Sequence, residues 1–240
     1  MFKFEGKIRY SETDEKGCLT VPRLIDYFQD CSSFQSESVG LSREYFEERH
    51  IAWVLSFWQV VIKRRPKHTE RVSIGTFPYE FKSFMGMRNF FMEDEAGGMV
   101  ACANSIWSLL DMQSGRPVKP SEEILKYYPL EERLPMEYAD RKVRIPEGGN
   151  TLEPFRVKRE DLDSNYHMNN ARYIAAAMNY IPGNLEVIEF RAEYKKQAYL
   201  GDCIYPYIVS IEGGLAISLR DAEGAAYVNM YVFTTPGGEV

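Results

Sequence analysis

Residues 163–181 read DSNYHMNNARYIAAAMNYI, and the change of character at Asn170 decides how the chain is read. Ahead of it the stretch is polar and rich in turn formers; beyond it lies a short apolar segment that Pro182 and Gly183 end, which predicts a helix from about Asn170. Asp163, Asn165 and His167 stand at alternate positions just before that helix, where backbone N–H groups and the helix dipole favour developing negative charge. An acid, an amide and an imidazole gathered there suit attack on a carbonyl. A weaker copy lies 149 residues earlier, with Asp14, Arg23 and Ile25 at the positions of Asp163, Arg172 and Ile174. The copy carries Lys16 and Cys18 where the second has Asn165 and His167, so two similar halves share one full set of chemical groups.

The repeat continues downstream. Lys63 in IKRRPKHTERVSI lines up with Lys195 in YKKQAYLGDCIYP, and MEDEAGGMVACA with LRDAEGAAYVNM. A period above 100 residues means duplicated domains rather than a solenoid. In the first half a short strand is expected at Lys7 to Tyr10. A helix with Pro22 in its first turn follows, with Leu24, Ile25, Phe28 and Cys31 on one face and Gly40 as its stop. Ser42 can cap a shorter helix, and four strands follow, with Gly97 and Gly98 turning the last hairpin. Prolines 117, 120, 129, 135 and 146 mark a connection with one modest helix near SEEILKYY. The same order then returns: a strand near FRVKR, the polar loop, the helix, and strands at LEVIEFRAEYKK, CIYPYIVSI, LAISLR and AAYVNMYVFTT. A helix followed by antiparallel strands buries itself only if the sheet curves around it, and Ala175, Ala176 and Ala177 would let that sheet approach closely. The fold class is therefore α+β, with domains at 1–128 and 151–240 and a linker at 129–150.

Composition agrees. A chain of 240 residues, 45% hydrophobic and 14% aromatic, has apolar material for two cores. Neither a signal peptide nor a membrane-spanning run is read in it, so a soluble, cytoplasmic protein without membrane association is expected. The net charge of −6 argues against nucleic acid as a partner. Cys18, Cys31, Cys102 and Cys203 are widely spaced without a CxxC pair, so free thiols and no metal site are expected. Two basic clusters, one of Lys63, Arg64, Arg65 and Lys67 and one of Arg141, Lys142 and Arg144, are solvated charge or a docking patch for an acidic partner.

The order RYSETDEKG, WSLLDMQSGRPVKP, DSNYHMNNARYI and EYKKQAYLGD resembles the acyl-acyl carrier protein thioesterases of bacteria and plant plastids, over almost the whole chain. The resemblance implies two tandem hot-dog domains, each a curved antiparallel sheet wrapped around a central helix. It implies hydrolysis of the thioester that joins a fatty acyl chain to acyl carrier protein, releasing free fatty acid, with no cofactor or metal. The family's functional residues fall on Asp163, Asn165 and His167, which makes the C-terminal domain the catalytic side. The acyl tail falls in the first half, where Trp53, Phe57, Trp58, Phe81, Phe84 and Trp107 are candidate lining residues; aromatic residues in strands also serve as plain core. One departure stands out. Many relatives carry a glutamate and then a cysteine on the next strand, where this chain has Gln197 and Ala198, so no mechanism can use a carboxylate base or a thiolate there.

In the mechanism expected from these residues, helix-start amides near Asn169 bind the oxyanion. Asp163 or His167 takes the proton, Asn165 orients the thioester or its water, and Gln197 holds the water. Asp163 and Asn165 could instead make only turn and capping hydrogen bonds. Rival functions are an acyl-CoA or other small-thioester hydrolase, a hot-dog dehydratase, and a non-catalytic acyl-binding module. A homodimer is compatible with the sequence but has no signal in it.

Overall fold

Thr20 starts the first long helix: its hydroxyl accepts a hydrogen bond from the backbone N–H of Arg23, and Pro22 sits in the opening turn. Helix α1 then spans Val21–Ser38 and buries Val21, Leu24, Ile25, Tyr27, Phe28, Cys31 and Gln35. The computed structural model describes residues 1–237, and the chain divides into two compact units, Met1–Tyr138 and Ala139–Val240.

In the first unit, strands β1 (Phe2–Lys7), β2 (Ile51–Ile62), β3 (Arg71–Lys82), β4 (Met85–Asp94) and β5 (Met99–Asp111) form an antiparallel sheet in the order β1-β3-β4-β5-β2. Against it Phe28 of α1 meets Trp58 and Phe90, with ring centroids 6.1 and 5.4 Å away, and those two rings lie 4.9 Å from each other. Ser42 caps α2 (Arg43–Glu48), its hydroxyl accepting from the Tyr45 N–H. The modest helix of the connection is α3 (Glu122–Leu125). The strand expected at Lys7 to Tyr10 lies earlier. Tyr10–Glu12 instead forms a 3-10 turn, because the Glu12 carboxylate reaches back to the Arg9 N–H at 2.8 Å.

The second unit repeats this plan. Two-residue strands β6 (Asn150–Thr151) and β7 (Phe155–Arg156) both pair with β9, and helix α4 is Asn170–Met178. Strands β8 (Leu185–Tyr194), β9 (Cys203–Ile211), β10 (Gly214–Arg220) and β11 (Ala226–Pro236) are antiparallel in the order β9-β10-β11-β8. This matches β3-β4-β5-β2 of the first unit strand for strand, and each unit is a hot-dog domain. Helix α4 has 9 residues against 18 in α1, and it buries Ala171, Tyr173, Ile174 and Ala177.

The segment read as a linker is shared between the units. Glu131 donates its N–H to the Pro78 carbonyl at 3.0 Å, and Asn89 Oδ1 accepts from the Leu134 N–H and the Tyr138 hydroxyl, so residues up to 138 belong to the first unit. In the second, Val143 donates to Glu193 Oε2 at 3.1 Å and Gly149 to the Tyr207 hydroxyl at 2.8 Å.

Arg65 ties two loops of the first unit together through an ion pair with Asp14. Burial pushes the Asp14 carboxyl up, but the Arg65 guanidinium and the N–H groups of Cys18 and Lys16 overcome it and hold the group below its usual 3.8. A carboxyl depressed in the folded state stabilises the fold above its unfolded value and loses that contribution as pH falls through the folded one. Arg65→Gln is therefore expected to cost roughly 1 to 3 kcal/mol at pH 7. The gap between variant and parent should narrow steadily in urea denaturation below about pH 4; a gap independent of pH would contradict the assignment.

Candidate active site

The turn ahead of α4 is built around one carboxylate oxygen. Asp163 Oδ1 accepts the backbone N–H groups of Asn165 at 2.8 Å and His167 at 3.3 Å, while the Asp163 N–H donates to the His167 carbonyl at 2.8 Å. These bonds close a five-residue loop whose tip, Tyr166, sits at φ 63°. A bulky side chain seldom takes that left-handed conformation, and it is found mostly where surrounding bonds over-determine the backbone. Beyond the tip, Met168 donates to the Ala198 carbonyl at 2.8 Å and Asn169 to the Asp161 carbonyl at 2.8 Å. Asn169 is the cap of α4, its side-chain oxygen accepting from the Ala171 N–H at 2.8 Å and its carbonyl from Arg172 at 2.9 Å.

These bonds alter the expected chemistry. The backbone N–H groups of residues 165 to 169, and those of Ala171 and Arg172, already have acceptors, so the amides around Asn169 are not an open oxyanion cradle. Ala198 N–H is engaged too, by the Tyr173 hydroxyl at 2.9 Å. What the loop leaves without a hydrogen-bond partner among the described residues is the side-chain amide of exposed Asn165, the imidazole of half-buried His167 and Asp163 Oδ2. An amide donor, an imidazole that can take a proton and a carboxylate are the functional groups that a thioester and an attacking water need.

The first unit contains the same loop with other side chains. Asp14 Oδ1 accepts from Lys16 and Cys18 at 3.0 Å each, the Asp14 N–H donates to the Cys18 carbonyl at 2.9 Å, and Gly17 at φ 70° stands where Tyr166 does. Leu19 donates to the Pro66 carbonyl as Met168 does to that of Ala198. The turn facing the loop corresponds as well: Lys67 N–H donates to the Glu70 carboxylate, and Tyr199 N–H to that of Asp202, at 2.9 Å in both. The alignment these contacts fix puts Arg65 opposite Gln197. Arg65 pairs with Asp14; Gln197 is exposed, makes no hydrogen bond among the described residues and lies in the loop after β8 rather than on a strand.

The other sequence candidates divide. Phe57 and Trp58 are sealed in the core of the first unit, and the Trp58 indole N–H has no partner among the described residues. Trp53, Phe81, Phe84 and Trp107 are half-buried, with Trp53 packed on Phe81 and the Trp107 indole donating to Ser105 at 2.8 Å. The first basic cluster is largely neutralised, since Arg64 bridges Glu70 and Asp94 and Arg65 holds Asp14; Lys63 is exposed. In the second cluster Arg141, Lys142 and Arg144 are exposed. A groove of about 520 Å³ lined by Tyr180, Pro182, Ile208 and Leu215 includes no residue of the 163–169 loop. Sequence reading missed Tyr173, Tyr199 and Asp202, which set the facing turn. The repeat held a signal for two of them, because Tyr199 and Asp202 align with Lys67 and Glu70.

A family model described as the acyl-ACP thioesterase N-terminal domain matches residues 1–128, and one described as the C-terminal domain matches residues 146–221. The chain belongs to the acyl-ACP thioesterase family. A chloroplastic acyl-[acyl-carrier-protein] hydrolase of Cuphea viscosissima is 23% identical over 92% of this chain, and the match spans 62% of that longer relative. Among solved acyl-ACP thioesterases, that of Bacteroides thetaiotaomicron superposes with a TM-score of 0.89 at 20% identity, covering 97% of each chain. The 12:0-ACP thioesterase of Umbellularia californica gives 0.81 at 17% identity, covering 98% of this chain and 97% of that one. These likenesses establish the tandem hot-dog fold of this thioesterase family member.

Gln197→Arg would place in the second loop the guanidinium that neutralises Asp14 in the first. The variant is expected to fold normally and to form an ion pair with Asp163 Oδ2; for the thioester hydrolysis proposed below this should mean a loss of at least about tenfold. Steady-state kinetics alongside thermal denaturation check this, and an undiminished rate would show that neither Asp163 Oδ2 nor the Gln197 amide has a part in the chemistry.

Proposed function

We propose that this chain hydrolyses the thioester between a fatty acyl group and the phosphopantetheine arm of acyl carrier protein, in the cytoplasm and without a cofactor. Water adds to the thioester carbonyl, the carbon–sulfur bond breaks, and free acid and carrier thiol leave. The observation that carries the proposal is the contrast between two loops of one backbone design. Only the second presents an amide and an imidazole without hydrogen-bond partners beside a carboxylate that no cation neutralises, among the described residues.

Roles follow from which atoms are engaged. His167 is assigned as the base, since imidazole is the commonest general base and this one has no hydrogen-bond partner among the described residues, while Asp163 holds the loop through Oδ1. Asn165 is assigned as donor to the carbonyl oxygen, because the nearby backbone amides have other acceptors. Asp163 holds both residues in place, and Gln197 steadies the water without deprotonating it. Half-buried Trp53, Phe81, Phe84 and Trp107 are better proposed contacts for the acyl chain than sealed Phe57 and Trp58. Each methylene buried contributes about 0.8 kcal/mol, so the residue ending the chain site sets length preference. Carrier docking is proposed at Arg141, Lys142 and Arg144, which are exposed basic residues close together in sequence, suited to meet an acidic partner.

Release of free thiol from a panel of acyl carrier protein thioesters of different chain length tests the activity and its preference together. His167→Ala is expected to lower kcat by roughly 100-fold or more. Asp163→Asn keeps an oxygen that can accept both amides and loses only charge, so it should retain more activity than Asp163→Ala, which opens the loop. Folded Asp163→Asn and His167→Ala enzymes that both work at the parent rate would refute the site. Neutralising Lys142 and Arg144 should raise KM for the carrier-bound substrate and leave that for acyl-CoA unchanged; equal effects would identify a small-thioester hydrolase.

A further inference from the structure

The imidazole of His167 makes no hydrogen bond among the described residues, so something else must choose its rotamer. The ring it touches belongs to Tyr199, in a T-shaped contact with centroids 5.0 Å apart and planes at 74°. The two residues also face each other across an antiparallel bridge, which brings their side chains to the same side of the ribbon. Tyr199 is itself firmly placed although its side chain is half exposed. Its N–H donates to Asp202 Oδ2 at 2.9 Å, its carbonyl accepts from the Asp202 N–H at 3.0 Å, and Asp202 also receives the Tyr227 hydroxyl at 3.2 Å. The carbonyl of Tyr227 in turn accepts the N–H groups of Lys195 and Lys196, and Tyr173 fixes the Ala198 N–H just before the ring.

The first unit serves as an internal control. It has the same bridge and the same acid-capped turn, but the facing pair is Cys18 and Lys67. An aromatic residue stands opposite this position only where the position is a histidine. A merely structural demand of the turn would apply to both copies, and the first satisfies it without any ring.

We infer that Tyr199 is a positioning residue for His167, holding the imidazole in the orientation from which it takes the proton of the attacking water. The inference rests on the hydrolytic function proposed above. An aromatic pair of this geometry shifts a rotamer equilibrium by up to about tenfold, which sets the scale of the effect.

Tyr199→Leu and Tyr199→Phe in the full chain test it by two readouts. With a dodecanoyl pantetheine thioester, the leucine variant is expected to lose roughly five- to tenfold in kcat with KM within about twofold, and the phenylalanine variant to match the parent. With only three histidines in the chain, the His167 imidazole C–H signals can be identified by their loss in His167→Ala. Their ring-current displacement should vanish in Tyr199→Leu and persist in Tyr199→Phe. His68, which meets Tyr10 at 6.0 Å, should keep its own shift throughout. Parental kcat in the leucine variant, or a slowed variant with unmoved His167 signals, overturns the role of Tyr199. A parent chain that releases no thiol refutes the hydrolytic function instead, while the spectra still report whether the ring holds the imidazole.

Discussion

One carboxylate oxygen organises the site. By accepting two amides from its own loop, Asp163 Oδ1 forces residues 163–167 into a tight closed turn, and charge-assisted bonds of this kind are stronger than neutral ones. The turn sets Asn165 and His167 at neighbouring corners, requires a left-handed residue at Tyr166 and delivers the chain to the cap of α4. Because the neighbouring amides are satisfied within the scaffold, the groups that the loop leaves without partners among the described residues are side chains. A helix start is commonly a ready receptor for negative charge. Here its first turn is already occupied by Asn169, and the loop has become a rigid mount for functional groups.

Much of the fold could be read from the residues. The duplicated order of loop, helix and strands followed from the spacing of Asp14 and Asp163, and the cap at Ser42 from local side-chain chemistry, whereas the cap at Asn169 emerged only from the structure. The division of residues 129–150 between the units was not legible, since it depends on Asn89, Glu193 and Tyr207, distant positions with no local pattern. At the site, the trio Asp163, Asn165 and His167 was visible as a motif. Which atoms were already engaged was not, because that depends on bonds to Asp161, Ala198 and Tyr173. The neutralised state of Arg64 and Arg65 was hidden for the same reason: their partners are acids brought close only by folding.

The two halves show how one backbone design can carry two different sets of side chains. Backbone bonds in the paired loops agree almost one for one, yet the side chains differ in kind at each point that could touch a substrate. Lysine, glycine, cysteine, arginine and lysine at 16, 17, 18, 65 and 67 stand against asparagine, tyrosine, histidine, glutamine and tyrosine at 165, 166, 167, 197 and 199. The first set leaves its aspartate locked to a cation; the second leaves its aspartate one oxygen in reserve. Electrostatics, not architecture, separates them.

The turn around Asp14 is thus a vacant chassis. Its main chain already adopts the shape of the loop around Asp163, with a glycine at the one conformation that tyrosine must be compelled to occupy. Grafting the side chains of the second loop into the N-terminal half would require a few exchanges and no rebuilding of the main chain.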